Sequence, residues 1–134
     1  MSVKYVNFRH LVLVSVGFLG LYMSLYTAQN LSSTLFSKDS YTHLGFYSNA
    51  MIYFGQGLGS FLAVFTIDKY SDTKTMAFGA LVCIPFVLSL FIPAFNENPQ
   101  SHKKSWIFSE GFVYTLILAT SLLNGIGEGA AQTA

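Results

Sequence analysis

Residues 11–29, 45–67 and 75–95 contain no Asp, Glu, Lys or Arg, and residues 112–134 contain only Glu128. Each stretch is 19 to 23 residues long, and the other twelve charged side chains all fall outside them. An α-helix rises about 1.5 Å per residue, so about 20 residues cross a hydrocarbon core of roughly 30 Å. A helix also satisfies its own backbone hydrogen bonds, which lipid cannot do. A water-soluble helical bundle would need a charged outer face on each helix, and these segments have none. The pattern predicts an all-α membrane protein with four transmembrane helices, over about 11–29, 45–67, 75–95 and 112–134.

Composition agrees. Hydrophobic residues make up 52% of the 134 and charged residues 10%, against about 25% charged in ordinary soluble domains. The net charge of +1 gives nucleic acid no basic surface. A single cysteine, Cys83, excludes an internal disulfide and a multi-cysteine metal site. The first segment is longer than a signal peptide's apolar region, and Tyr26 suits a cleavage site poorly, so it is read as a span.

Between the spans, "NLSSTLFSKDSYTH" and "NENPQSHKKSWIFSE" read as polar loops, the second with Trp106 at an interface, and "DKYSDTK" as a tight charged turn. Pro85 falls inside the third span, where a missing N–H predicts a kink. With the amino terminus inside, Lys4, Arg9, Lys69 and Lys74 face inward and Lys38, Lys103 and Lys104 outward, a small bias toward that orientation. The sequon at Asn30 then faces outward but abuts the membrane, so no glycan is expected.

Polar residues inside the spans recur at helical spacing. Asn124, Glu128 and Gln132 share one face of the fourth segment, with Gly125 and Gly129 beside them. Asn49, Tyr53, Gln56 and Ser60 form a similar stripe in the second, flanked by Gly55 and Gly59, and Tyr22, Tyr26 and Gln29 align in the first. Glycine pairs of this kind let membrane helices approach, and amides hydrogen-bond across the contact. The same stripes can also wall a water-lined path. Glu128 stands apart, because a carboxylate within a span costs a few kcal/mol and has to face protein or water, stay protonated, or meet a cation. Counted along its own segment it falls toward the inner end, which predicts either an ion pair with Lys69 or Lys74 or an interfacial position.

Nothing in the sequence points to an enzyme or a cofactor. His10, His43 and His102 lie in separate loops without ligand spacing. "GQGLG" and "GIGEG" sit inside spans, where a phosphate-binding loop does not fit.

The order and spacing of four stretches resemble the amino-terminal part of the Unc-ninety-three family, a branch related to major facilitator transporters. "GFLGLYMSLYTAQNLSS" is similar to an aromatic-rich first helix ending in Gln29 and Asn30, and "LGFYSNAMIYFGQGLGSFLA" to the second helix. "DKYSDTKTMAFGA" stands where relatives have a short basic loop, with Lys69, Lys74 and Gly79 in place and Ser71 where glycine is usual. "LLNGIGEGAAQTA" is similar to the fourth helix, and "YTAQN" and "AAQTA" echo each other at the ends of the first and fourth segments. The resemblance implies about a dozen helices built from three-helix repeats with a substrate site between repeats, of which this chain would be a truncated amino-terminal portion.

It further implies transmembrane transport of a small solute or ion. Gln29, Asn49, Gln56, Asn124, Glu128 and Gln132 would line the path, and Asp68, Lys69, Asp72 and Lys74 would form an inner hinge or gate. The alternatives are a non-transporting accessory subunit regulating an ion channel or receptor trafficking, and an inactive fragment. In each case the partners are the lipid bilayer and other membrane helices, packed through Gly55, Gly59, Gly125 and Gly129.

Overall fold

The structure is a computed structural model that describes residues 3–38, 41, 43–95 and 109–134. Every regular element among them is helical: α1 (Val3–Lys38), α2 (Leu44–Tyr70), α3 (Asp72–Val82), α4 (Ile84–Ser89), α5 (Phe91–Ala94) and α6 (Glu110–Thr133). The expected interfacial loop with Trp106, His102, Lys103 and Lys104 lies outside the described residues. Among the described residues three stretches are long and apolar enough to cross a membrane: Phe8–Thr34, Leu44–Tyr70 and Asp72–Ala94.

α1 runs beyond the segment expected of it. Residues 30–38 were expected in a polar loop, but they continue the helix. Their hydroxyls bond back onto the same helix: Ser32 to the Gln29 carbonyl at 2.7 Å, Ser33 to Asn30 at 2.8 Å and Thr34 to Asn30 at 3.4 Å. Polar composition therefore does not break the helix here, and it delivers Phe36 into the core with 1% of its surface exposed. Elsewhere in the apolar stretches, Ser24, Thr27 and Thr66 turn their hydroxyls onto carbonyls of their own helices, leaving apolar surface outward.

The turn between α2 and α3 is shorter than the expected charged loop. Asp68, Lys69 and Tyr70 finish α2, Asp72 begins α3, and Ser71 alone reverses the chain with φ 81°. The third span is interrupted twice. Cys83 N–H bonds to the Ala80 carbonyl at 3.3 Å two residues before Pro85, as a proline kink predicts. A second break at Leu90, whose N–H bonds to Val87 at 3.3 Å, precedes Pro93 in the same way.

α6 is the element on which α2, α3 and α4 chiefly pack. It is 24 residues long, yet it is not among the stretches apolar enough to cross a membrane. Its buried residues include Thr120, Ser121, Asn124, Gly125, Gly127, Glu128 and Gly129. These residues meet protein rather than lipid, which is where polar and small side chains belong in a membrane fold. α2 runs parallel to α6, with Ser48 beside Ser121 and Ser60 beside Gly129. The third span runs antiparallel to α6, from Gly79 beside Gly127 to Ser89 beside Thr120. α1 is peripheral, with only 6% of its apolar window buried.

Candidate functional site

Two glycine pairs determine how closely α2 and α6 approach. A methyl group on Gly125 would strike the Ile52 carbonyl, one on Gly129 the Gln56 carbonyl, and one on Gly59 the Ile126 carbonyl. On Gly55 it would lie 2.6 Å from the Leu122 carbonyl oxygen. Backbone therefore meets backbone along this seam. On the other side of α6, a methyl group on Gly79 would come within 2.5 Å of the Gly127 carbonyl oxygen. Side chains flanking the two seams are carried into one small volume.

That volume holds Glu128, with 1% of its surface exposed. Its Oε1 accepts a hydrogen bond from Gln29 Nε2 on α1 at 2.8 Å and another from Asn124 Nδ2, one turn earlier on α6, at 2.7 Å. Its Oε2 accepts from Gln56 Nε2 on α2. Tyr22 on α1 donates its hydroxyl to the Glu128 backbone carbonyl at 3.4 Å. Cys83, at the break in the third span, bonds through its thiol to the Gly79 carbonyl at 3.3 Å and reaches the Asn124 carbonyl at 3.9 Å. Side chains of α1, α2 and α6 itself thus converge on one carboxylate, with Cys83 of the third span bonded to the backbone one turn away.

No ion pair with Lys69 or Lys74 is formed, because Glu128 lies at a different depth. Its partner Gln56 stands near the middle of Leu44–Tyr70, about 18 to 21 Å from either end at 1.5 Å per residue. The misreading came from counting along α6 alone. Ser48 pairs with Ser121 at 2.7 Å, so α6 begins about two turns beyond the level at which α2 starts. Glu128 therefore stands level with the middle of α2 rather than with the end that carries Lys69. Its compensation comes from neutral amide donors. Hydrogen bonds to a charged group are worth roughly 1.5–3 kcal/mol each, so these three lower the cost of burying the carboxylate but bring no positive charge to it.

No known protein family, curated protein or solved structure matches this chain.

Of the residues expected along a path, Gln29, Gln56, Asn124 and Glu128 meet. Asn49 is half-buried on α2 and Gln132 is exposed at the end of α6; neither bonds to the carboxylate. Asp68, Lys69, Asp72 and Lys74 are exposed around Ser71, with the Lys69 ammonium 5.4 Å from the centre of the Tyr70 ring. Two hydroxyl pairs, Ser48 with Ser121 and Ser89 with Thr120 at 2.9 Å, went unrecognised in the sequence. Their spacing along α6 from Asn124 was a usable signal, since positions 121, 124 and 128 lie on one helix face.

The two ends around this site differ. Below it, Phe36, Tyr41, Leu44, Val113 and Ile117 form a buried apolar cluster. Toward Ser71, α1 residues 8–17 are all exposed. At that end α2, α3 and α6 leave a groove of about 530 Å³ whose lining includes Ala63, Phe78, Ile126, Tyr70 and Lys74.

Proposed function

We propose that the chain is a multi-pass membrane protein in which α6 is the fourth span. Its role in this reading is transmembrane transport of a small solute or ion, of the kind implied by the resemblance to the Unc-ninety-three family and its major facilitator relatives. The observation that carries the reading is the mid-depth carboxylate bonded by side chains of α1, α2 and α6. A purely structural seam has no need of a buried charge, because Ser48 with Ser121 and the glycine contacts already join α2 to α6. Intramembrane ionisable groups shared between helices are where solute and ion paths run. The buried apolar cluster at the Leu44 end gives the site one closed side, which fits a path that opens to one face of the membrane at a time.

The test is flux in vesicles reconstituted with the chain, using labelled alkali cations and a panel of small organic solutes. Uptake above that of protein-free vesicles, lost in Glu128→Ala, is the expected result. Uptake unchanged in Glu128→Ala removes Glu128 from the path.

A second reading, an accessory subunit for a channel or receptor, is favoured by α1. Gly17 and Gly20 have nothing within 4 Å of where a side chain would begin, and the helix around them is exposed. That surface suits a partner helix approaching closely. Co-purification with a channel or receptor, with no flux in vesicles, would select this reading over transport.

A further inference from the structure

The Glu128 site has a charge and an oxygen atom that its hydrogen bonds leave unmatched. The groups around the carboxylate are Gln29 and Tyr22 from α1, Gln56 from α2, Cys83 from the break in the third span and Asn124 from α6 itself. None of them is cationic, so the cluster carries a formal charge of −1 inside a low-dielectric region. Asn124 is 0% exposed, and its Oδ1 is the buried side-chain atom that lacks a hydrogen-bond partner among the described residues. A buried acceptor without a donor costs about 1–3 kcal/mol unless something fills its place. This one belongs to the side chain that also holds the unmatched charge.

We propose that Glu128 and Asn124 Oδ1 form the core of a binding site for one monovalent metal cation of the alkali type. The inference rests on the reading of Glu128 as the functional centre and names the ligand of that centre. Charge selects the valence: one positive charge neutralises the cluster, whereas a divalent ion would leave +1 buried. Ligand chemistry selects the type, since carboxylate and amide oxygens are hard donors suited to hard cations. Among the described residues there is no group of three His, Cys, Asp or Glu that would hold a transition metal. The Cys83 thiol is engaged with the Gly79 carbonyl. Gln29 and Gln56 complete the site. Each now turns its NH₂ toward the carboxylate, and a half-turn of its terminal torsion puts an oxygen in the same position. The amides thus serve as donors to the bare carboxylate and as ligands once the cation arrives. Gln56 and Tyr22 are half-buried and mark the side from which the cation enters.

The experiment uses the full chain in detergent micelles. Thermal midpoints are measured by circular dichroism as NaCl replaces choline chloride at fixed ionic strength, with LiCl and KCl as further arms. A ligand that binds only the folded state raises the midpoint with its concentration, so a midpoint that climbs with an alkali cation and not with choline is expected. Equilibrium dialysis with ²²Na⁺ provides a second measurement on the unaltered chain, and binding that reaches about one ion per chain is expected. Glu128→Gln should abolish both signals. Asn124→Asp, which doubles the charge at the same oxygen, should shift preference toward Ca²⁺, a change that a merely structural asparagine would not produce. Identical midpoints in Na⁺, Li⁺, K⁺ and choline together with no retained ²²Na⁺ would overturn the proposal. So would a midpoint that responds to pH but to no alkali cation, because a proton alone would then neutralise Glu128. Cation binding without vesicle flux upholds this inference and defeats transport. Flux of an organic solute indifferent to alkali cations does the reverse.

Discussion

Ser71 reverses the chain alone, with φ 81° and ψ 153°, in a region of backbone space that belongs to glycine. The surrounding bonds hold it there: its N–H donates to the Ile67 carbonyl at 3.1 Å, and its own carbonyl accepts from Thr75 N–H at 3.2 Å. A non-glycine residue in such a conformation costs roughly 1–3 kcal/mol, and removing its Cβ relieves most of that. Ser71→Gly is therefore expected to stabilise the fold by about 1 kcal/mol, after allowance for the greater freedom of an unfolded glycine. Ser71→Val should destabilise it, since a β-branched side chain tolerates positive φ least. Thermal unfolding in one detergent, comparing serine, glycine and valine, checks the order. A glycine variant that melts below the parent would show that the Ser71 side chain contributes more than its backbone costs.

Where α2 meets α6, the glycines have no spare room. A methyl group on Gly125 would overlap the Ile52 carbonyl, and Gly55 lies directly opposite. Overpacking of this kind costs about 1–3 kcal/mol. Gly125→Val should separate the two helices and break the Gln56 bond to Glu128, whereas Gly57→Val, at a position with open space around it, should be silent. Thermal midpoints of the two variants make the comparison, and equal midpoints would mean that the seam is not close-packed. Much of this contact could be read in advance, because glycines four apart beside Asn124, Glu128 and Gln56 fix a face by periodicity alone. The Cys83 break was legible from Pro85 for a similarly local reason. What could not be read was register between helices. Nothing within residues 112–134 says that Ser121 stands level with Ser48, and without that offset Glu128 was assigned to the wrong depth and given Lys69 or Lys74 as a partner. The end of α1 was misread for another reason: Ser32, Ser33 and Thr34 look like loop residues until their hydroxyls are seen satisfying carbonyls of their own helix.

Polarity in this molecule is inverted relative to a water-soluble bundle. Phe46, Phe54, Phe61, Phe65, Phe78 and Phe95 are each more than 60% exposed, while Ser48, Ser121, Asn124 and Glu128 are buried to within 1%. In a fold surrounded by lipid, apolar burial supplies little driving force between helices, so polar pairs and backbone contact fix their arrangement. The arrangement therefore depends on a few contacts of known register, and these can be trapped covalently. Ser48 Oγ and Ser121 Oγ lie 2.7 Å apart and are separated by 73 residues. Replacing both with cysteine, in a chain whose Cys83 has been changed to serine, should allow oxidation to close a disulfide between α2 and α6 in native membranes. Ser24, exposed on α1 and bonded only to its own helix, provides the control when paired with a cysteine at 121. A mobility shift reversed by reductant in the 48/121 pair and absent from the 24/121 pair would fix the parallel register of α2 and α6. That register is what sets Glu128 at mid-depth. A 48/121 pair that stays reduced under oxidant would displace α6 along α2 and take the carboxylate away from Gln56.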